Sequence, residues 1–354
     1  MIDSKFCNGE FAKNRNNWLK EVSRTFYPSI KVLPSDLCCY VGHSYLLCRL
    51  LDTIEDAYDI PAEEKKDILN KAIECIKDPM KFDRSNDVFS ALADKSDIKE
   101  YEKIILRNSF HIFECIETFP ENVRKSIRTW TVEMAEGMKK YSFGTDNPKV
   151  QLSTMSELEE YTYYVAGTVG KLLSELYTDA KYKIPKEKIE LMEKNSIAFG
   201  KALQYVNIIK DSRMDFKEGR CFIPKDILDK YSCSFEEFKD SGNTEKIRKI
   251  YLELIIKAEE YLDNSVEYTG AIPVRLWRIR LFCIWPVTLA YKTLTGLKNN
   301  LDDFIKDNST YKISRTEVKS VLKNGYIAAF SNWYFKKMIK KNKIYNIDLL
   351  PLIH

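Results

Sequence analysis

The chain has 354 residues, 44% of them hydrophobic, which is enough for one large domain or two small ones around a sizeable core. Charged residues make up 31% of the sequence, but the formal net charge is only +4 and no nucleic-acid-binding motif appears, so we expect no nucleic-acid partner. With 12 Gly, 11 Pro and no low-complexity tract, the sequence contains no obvious linker. We therefore expect a single domain over residues 1–354, with a core from about residue 15 to 320 and a C-terminal helical extension over 321–354.

Apolar periodicity predicts helices along the whole chain and no strand of useful length. The predicted helices cover residues 35–58, 62–77, 98–117, 121–141, 156–180, 186–215, 243–269, 274–297 and 314–340. A proline precedes four of these runs, as expected where proline opens a helix: Pro61, Pro120, Pro185 and Pro273. Ser156 and Glu159 are predicted to form a capping box. This pattern is typical of an all-α protein.

The first predicted helix ends in an acidic cluster. Asp52, Glu55 and Asp56 lie three and four residues apart, so they share one helix face, and Tyr45 and Arg49 continue the same stripe. Carboxylates this close repel one another unless cations lie between them, and oxygen ligands without Cys or His favour Mg²⁺. A phosphate ester is the natural substrate of such a site.

A second acidic cluster ends the helix predicted over 186–215. One face carries amides and carboxylates, namely Gln204, Asn207, Asp211 and Asp215. Gly219 and Pro224 are expected to end the helix and to place Arg220 at its C-terminal end. Either cluster alone is often only a solvated helix face, but the Arg, Tyr and amide side chains beside both of them favour a binding site.

Five segments of the chain resemble the squalene and phytoene synthase family of head-to-head prenyltransferases, and the squalene synthases most of all. They are Ser23–Phe26, Tyr45–Asp56, Tyr161–Gly170, Gln204–Pro224 and, more weakly, Tyr311–Arg315. The segments follow the family's order and cover most of the chain. The resemblance implies the isoprenoid-synthase fold, a single helical domain in which the two acidic faces meet across a central cavity.

The resemblance also implies roles for individual residues. Several Mg²⁺ ions are expected at Asp52, Asp56, Asp211 and Asp215, with Glu55 in support. Donors to the substrate diphosphate are expected among polar and basic residues of the matching segments, namely Ser23, Arg24, Arg49, Gln204, Asn207, Lys210, Arg213 and Arg220. For Lys210 and Arg213 an outward, solvated side chain is the alternative.

Aromatic side chains are expected to protect the carbocation that remains when diphosphate leaves. Tyr45 and Tyr164 match tyrosines of the family, and we expect them to be catalytic together with Arg220 and with Phe26 as a cavity wall. Gly167 and Gly170 form a small-residue face that either the substrate or a neighbouring helix approaches.

The implied reaction joins two farnesyl diphosphates through presqualene diphosphate and reduces the product with NADPH to squalene. Lys312, Arg315 and Asn207 are the expected cofactor-binding residues. A dehydrosqualene or phytoene synthase, which does not reduce its product, is the alternative. A class I terpene cyclase and a non-catalytic scaffold are the remaining alternatives.

The sequence predicts a cytoplasmic protein. Its nine cysteines show no metal-binding spacing and are interpreted as reduced thiols, and neither a signal peptide nor a transmembrane anchor is apparent. Aromatic and basic residues alternate from Tyr326 to Lys343, which indicates either peripheral contact with a membrane or a docked helix with a solvated lysine face. The sequence does not predict an oligomeric state.

Overall fold

The computed structural model of the protein describes residues 9–23, 26–141, 150–217, 219–240, 244–307 and 310–343. Within these ranges the chain is almost wholly helical, which confirms the prediction of an all-α protein. The helices form two compact units, Met1–Pro148 with Lys171–Tyr182 and Lys149–Gly170 with Lys183–His354. No composition shift in the sequence predicts this division, and the single domain stays a prediction.

Eight α-helices lie wholly within the part of the first unit that the structure describes. They are α1 (Gly9–Val22), α2 (Tyr27–Val32), α3 (Ser35–Glu55), α4 (Ala62–Lys77), α5 (Val88–Lys95), α6 (Glu100–Arg107), α7 (Ser109–Ile116) and α8 (Glu121–Lys140). Helix α3 is the core of this unit, and the side chains of Leu46, Leu47, Leu50 and Leu51 are inaccessible to solvent. Apolar residues therefore surround α3 along most of its length, and its polar side chains gather towards its C-terminal end.

The second unit begins with β1 (Val150–Gln151) and α9 (Met155–Thr162), followed by a π-helical segment (Tyr163–Gly167). Helix α10 (Thr168–Tyr177) leads from this unit into the first one. The remaining elements are α11 (Lys186–Lys217), β2 (Arg220–Cys221), α12 (Lys225–Lys230), α13 (Phe235–Asp240), α14 (Thr244–Ala271), α15 (Trp277–Asn299), α16 (Leu301–Asp307), α17 (Arg315–Ala329) and α18 (Asn332–Lys340). The long helices α11 and α14 pack against each other, and α15 packs against α17.

The predicted helices are present, but polar side chains divide two of them. The helix predicted over 98–117 is divided into α6 and α7 at Asn108, whose amide donates to Ile104 O at 2.7 Å. The helix predicted over 314–340 is divided at Ser331, whose hydroxyl accepts from the backbone N–H of Tyr334 and caps α18. Side chains that bond to nearby backbone groups favour such interruptions. Helix α17 runs across the expected core boundary at residue 320.

The structure corrects the predicted cap of α9 and the predicted state of the cysteines, and it adds one short strand pair. The N-cap of α9 is Thr154, which accepts from Glu157 N at 3.2 Å, so the cap lies two residues before the predicted Ser156. Strands β1 and β2 form a two-residue parallel pair in which Val150 is opposite Arg220, which the sequence does not predict. Seven of the described cysteines are free thiols, whereas Cys115 is disulfide-bonded, in contrast to the expectation of reduced thiols throughout.

Candidate active-site segments

Arg49 on α3 lies between two carboxylates of the first unit. Its Nη2 donates to Oε1 of Glu102 on α6, and its Nη1 lies 3.9 Å from Oδ2 of Asp52. Glu102 is nearly buried, with 9% of its side chain exposed. Its other oxygen accepts from the backbone N–H of Lys99 at 3.3 Å and so caps the start of α6. A helix-capping role is all that the local sequence around Glu102 indicates. Sequence reasoning therefore missed the residue that fixes the position of Arg49.

The end of α3 brings three carboxyl groups together. Asp52 and Glu55 lie in the last turn, and Asp56 is the C-cap with an exposed side chain. Burial raises the pKa of Asp52 to about 7, with Arg49 opposing this shift and the charge of Asp56 adding to it. Burial, then the charges of Asp56 and Asp52, also raise the pKa of Glu55 well above its usual range. Ionising all three groups is costly, which is the condition that a bound cation relieves.

Ser23, Phe26 and Tyr45 lie together in the first unit. The Tyr45 hydroxyl donates to Val22 O at 3.4 Å, and the Tyr45 and Phe26 ring centroids are 6.2 Å apart. Ser23 is buried directly after α1, and burial raises the pKa of Tyr45, so this phenol keeps its proton at neutral pH. Arg24, which the sequence places beside Ser23, lies outside the described residues.

Helix α11 presents the second acidic motif in the second unit. Asp211, Asp215 and Gln204 are partly exposed, and Asn207 is exposed. Lys210 Nζ forms an ion pair with Oδ2 of Asp211. The predicted face of amides and carboxylates is therefore accessible along the last three turns of α11.

Arg220 reaches back to this face across a turn. Its Nη2 donates to Oδ1 of Asp215 at 2.8 Å. Gly219 has φ +80°, a left-handed conformation that favours glycine and reverses the chain directly after α11. The pairing of β2 with β1 and the bond from Lys225 N to Leu152 O, 2.9 Å long, fix the segment that follows. Backbone structure thus positions the guanidinium.

Arg213 has a different place from the one predicted. The side chain is fully buried, and its guanidinium donates to the carbonyls of Phe238 at 2.6 Å and Lys239 at 2.9 Å. These carbonyls belong to the last turn of α13, which has no further intrahelical donors. Arg213 therefore joins α13 to α11, and it is not placed to bind a diphosphate.

The segment that carries Lys312 and Arg315 is attached to α11 beside the acidic motif. The backbone N–H of Tyr311 donates to Lys210 O at 3.1 Å. The Tyr311 hydroxyl packs where Gly296 of α15 has no side chain, since a Cβ there would lie only 2.2 Å away. Lys312 and Arg315 are both exposed. The structure therefore brings this basic segment next to Asp211.

Tyr164 lies in the π-helical segment between α9 and α10. Its ring centroid is 5.3 Å from that of Tyr163, and its carbonyl accepts from Thr168 Oγ1 at 2.7 Å. A π-helical turn inserts one residue into the helix and frequently occurs at functional sites. The sequence predicts only a continuous helix here, because the extra residue leaves no signal in apolar periodicity.

The small residues near Tyr164 serve helix packing. A Cβ on Gly170 would lie 2.0 Å from Ser196 O, and a Cβ on Gly200 would lie 1.9 Å from Ala166 O. The two backbones are therefore in direct contact, and of the two readings of the glycine face, approach by a neighbouring helix applies at Gly170. Gly200, its counterpart on α11, carries no distinguishing signal in the sequence.

A buried polar cluster lies one turn before the π-helical segment. Glu159 of α9 pairs with Lys201 of α11, accepts from the Tyr205 hydroxyl at 3.0 Å and accepts from the Tyr261 hydroxyl. Burial opposes ionisation of Glu159, but the bonds from Lys201 and Tyr261 outweigh it and hold the pKa of this carboxyl below its usual range. Sequence reasoning counted Glu159 only as a capping residue, since its partners are distant in the chain.

The described residues contain no group of three or more His, Cys, Asp or Glu side chains arranged to hold a metal ion by themselves. Mg²⁺, however, usually binds through one or two carboxylates together with substrate phosphates and water. The carboxylates of Asp52 and Asp56, and separately those of Asp211 and Asp215, are oxygen donors of this kind. Each pair of carboxylates offers ligands that suit an Mg²⁺ ion bound together with a diphosphate.

Comparisons with known proteins extend these observations. Residues 19–317 match the family model described as Squalene/phytoene synthase. Squalene synthase of Schizosaccharomyces pombe is 30% identical over 81% of this chain and 59% of its own length, and squalene synthase 1 of Arabidopsis thaliana is 30% identical over 80% and 64%. The chain therefore spans about 60% of the length of these relatives.

Solved structures agree on the fold. The TcSQS structure with the ligand BPH1237 superimposes with a TM-score of 0.79 at 24% identity, covering 94% of this chain and 90% of that one. A dehydrosqualene synthase superimposes with a TM-score of 0.55 at 19% identity, covering 96% and 98%. The predicted isoprenoid-synthase fold is thereby confirmed. No helix among the described residues has both the length and the apolar character needed to cross a membrane.

Proposed function

Because the chain belongs to the squalene/phytoene synthase family, we propose that it is a prenyltransferase that joins two farnesyl diphosphates head to head and reduces the product to squalene. In the first half-reaction one substrate loses diphosphate, the second adds to the allylic carbon, and loss of a proton closes the cyclopropane ring of presqualene diphosphate. In the second, diphosphate leaves, the carbon skeleton rearranges, and the cation is neutralised by a hydride, which NADPH would supply. The products are squalene, two diphosphates, one proton and NADP⁺.

One observation carries this proposal: in each unit an acidic helix end is paired with an arginine. Arg49 lies beside Asp52, and Arg220 bonds to Asp215. Guanidinium groups suit phosphate oxygens, and carboxylates suit the metal ions that accompany a diphosphate. Asp52, Asp56, Asp211 and Asp215 would hold Mg²⁺, which when bound neutralises the charge of the leaving diphosphate. Glu55 would support Asp52 and Asp56, while Ser23, Arg24, Gln204, Asn207 and Lys210 would orient the diphosphates.

The two tyrosines supply the chemistry of the cation. Tyr45 is half-buried, and desolvation raises the pKa of its phenol further above neutrality, so it stays protonated. Its ring lies next to that of Phe26, and the two aromatic rings can stabilise positive charge. Tyr164 is partly exposed on the π-helical segment, which suits a phenol that takes up and passes on the proton lost on ring closure. Both residues would also exclude water from the cation.

NADPH would be held by Lys312, Arg315 and Asn207, and it supplies hydride when bound. The exposed basic side chains suit the phosphates of the cofactor, and the bond from Tyr311 N to Lys210 O keeps their segment beside α11. Asn207 is exposed on the same helix and offers an amide to the cofactor. The expectation of a cytoplasmic protein with peripheral membrane contact is also retained as part of this proposal.

The test is to incubate the purified protein with farnesyl diphosphate and Mg²⁺, with and without NADPH, and to identify the extracted hydrocarbons by mass spectrometry. We expect squalene only when NADPH is present. Dehydrosqualene in both reactions would indicate a non-reducing synthase and would overturn the proposal. A parallel incubation with geranylgeranyl diphosphate identifies a phytoene synthase, which would convert that substrate alone. A cyclic product would indicate a terpene cyclase, and release of no diphosphate from either substrate would indicate a scaffold.

A further inference from the structure

Four large apolar side chains are exposed around the turn that joins α17 to α18. The exposed fractions are 48% for Tyr326, 53% for Ile327, 59% for Phe330 and 69% for Trp333. We call these four residues the aromatic turn. Only four other large hydrophobic residues of the described chain are exposed by more than a third, and they do not cluster: Leu191 and Met214 lie on α11, and Met80 and Val274 lie in separate short 3-10 helices. A concentration of this kind marks an interaction surface.

The aromatic turn is held rigidly. Arg280 of α15 is buried, and its guanidinium donates to Ala329 O at 2.8 Å and to Asn332 Oδ1 at 2.6 Å, on either side of the turn. The same group donates to Ile272 O at 2.6 Å, which ties the turn to the end of α14. The Phe330 ring lies against Trp277, with centroids 5.5 Å apart. The exposed side chains are therefore presented by a fixed scaffold and do not belong to a frayed end.

Lysines flank the aromatic turn at a distance of one helical turn. Lys323 precedes Tyr326 and Ile327 on α17, and Lys337 follows Trp333 on α18, where its Nζ lies 4.8 Å from the Trp333 ring centroid. From residue 318 to 343 the sequence has seven lysines and no Asp or Glu, and two of these lysines, Lys336 and Lys343, pair with Glu267 and Asp263 of α14. Among the residues that the structure describes, Lys323, Lys337 and Lys340 form no ion pair.

We propose that the aromatic turn inserts into the interfacial region of a bilayer that contains anionic lipids. Amphipathic anchors bury apolar side chains about 5–10 Å below the headgroups. About one helical turn separates Lys323 from Tyr326 and Lys337 from Trp333, and about two turns separate Lys340 from Trp333. Lys323, Lys337 and Lys340 then reach the lipid phosphates while the aromatic rings lie at the boundary with the acyl chains. A second copy of the chain fits this surface less well, because two faces with the same positive charge would meet.

This inference specifies the peripheral membrane contact that is part of the proposed function, but it is independent of the proposed reaction, so vesicle binding tests it separately from turnover. The full-length protein is sedimented with vesicles of phosphatidylcholine alone and of a roughly two-to-one mixture of phosphatidylcholine and phosphatidylserine. We expect binding to the mixed vesicles that weakens as salt is added. Phe330→Ser with Trp333→Ser should lower the partition coefficient by about tenfold or more. Both side chains are more than half exposed, so the helical fold should be retained, which circular dichroism verifies.

Charge is tested separately with a matched control. Lys337→Gln with Lys340→Gln should lower binding to the mixed vesicles by about fivefold for each lysine removed. Lys77→Gln with Lys194→Gln removes two exposed lysines from α4 and α11 and should change nothing. Failure of the native protein to bind the mixed vesicles, equal binding by the Phe330 and Trp333 variant, or equal losses in both lysine pairs would overturn the proposal. So would a native dimer that the aromatic substitutions convert to a monomer, since a second copy would then cover this surface.

Discussion

Arg220 and Asp215 form a hydrogen-bonded ion pair, with 2.8 Å between Nη2 and Oδ1, across the left-handed turn at Gly219. The pair connects the last turn of α11 to β2, so the position of the arginine depends on the backbone between them. Each unit thus has one arginine held at an acidic helix end, Arg49 in the first and Arg220 in the second.

Gly219→Ala should destabilise the protein and weaken the Arg220–Asp215 pair. No atom lies within 4 Å of the added Cβ, so the cost is conformational and amounts to about 1–2 kcal/mol for a residue with a side chain at φ +80°. Gly270→Ala is the matched control, since its Cβ also meets nothing within 4 Å but the residue is helical and should be neutral or stabilising. Urea unfolding of both variants measures the difference, and equal effects would contradict the assignment.

Arg213 and Arg220 should differ in what their loss affects. Arg213→Gln leaves two carbonyls of α13 without donors and should cost about 2–4 kcal/mol of unfolding free energy. Arg220→Gln should leave stability within about 1 kcal/mol and lower turnover of farnesyl diphosphate by about a hundredfold. Chemical denaturation and a diphosphate-release assay on both variants distinguish the roles. A stable but inactive Arg213→Gln protein would show that Arg213 takes part in diphosphate binding.

Asp52→Asn and Asp215→Asn should each abolish diphosphate release without loss of the fold. Removing one carboxylate from a crowded acidic end relieves repulsion, but it also removes an oxygen donor to Mg²⁺, and we expect a fall of about a thousandfold. Asp67→Asn on α4 removes an exposed carboxylate and serves as the control. Circular dichroism melts verify folding. Near-normal turnover in either site variant would refute the assignment of the metal ligands.

Tyr164→Phe should slow product formation by about a hundredfold, because the ring remains while the hydroxyl that moves a proton is lost. Tyr163→Phe is a control from the same π-helical segment. Product rates and profiles are measured by mass spectrometry of extracted hydrocarbons. An unchanged rate and profile for Tyr164→Phe would leave this tyrosine with a structural role only.

Glu159 should make part of the protein's stability depend on pH. Its pKa in the folded state is below the ordinary value of 4.5, so its contribution is fully present above that value and is lost as the pH falls through the folded-state pKa. Glu159→Gln should cost about 3 kcal/mol at neutral pH, because it leaves Lys201 buried without its charge partner. The loss should shrink below pH 4.5.

Melting temperatures from neutral pH down to acid test this for the native protein and the Glu159→Gln variant. Glu187→Gln, at an exposed position in the first turn of α11, should follow the native curve throughout. A constant difference between the native and Glu159→Gln curves at every pH would mean that the ionised state of Glu159 contributes nothing.

The sequence by itself determined the helical class and the two acidic helix ends. Both depend on spacing within one helix, so the positions of Asp52, Asp56, Asp211 and Asp215 follow from local periodicity alone. The end of α11 near Gly219 is also predictable from the local sequence, because helices commonly end at a glycine in the left-handed conformation. Resemblance in five ordered segments was enough to indicate the family.

Only the tertiary structure decided which side chains those helices meet. Arg213 and Arg220 have the same charge and lie seven residues apart, yet one packs under α13 and the other faces Asp215. Glu102 holds Arg49 from 53 residues away, and Glu159 meets Tyr261 from 102 residues away. The contact of Gly170 with Ser196 and the exposure of Trp333 also depend on how helices pack. Apart from the Arg220–Asp215 pair, which spans five residues, these contacts join residues that are distant in the chain, so no periodicity within one segment encodes them.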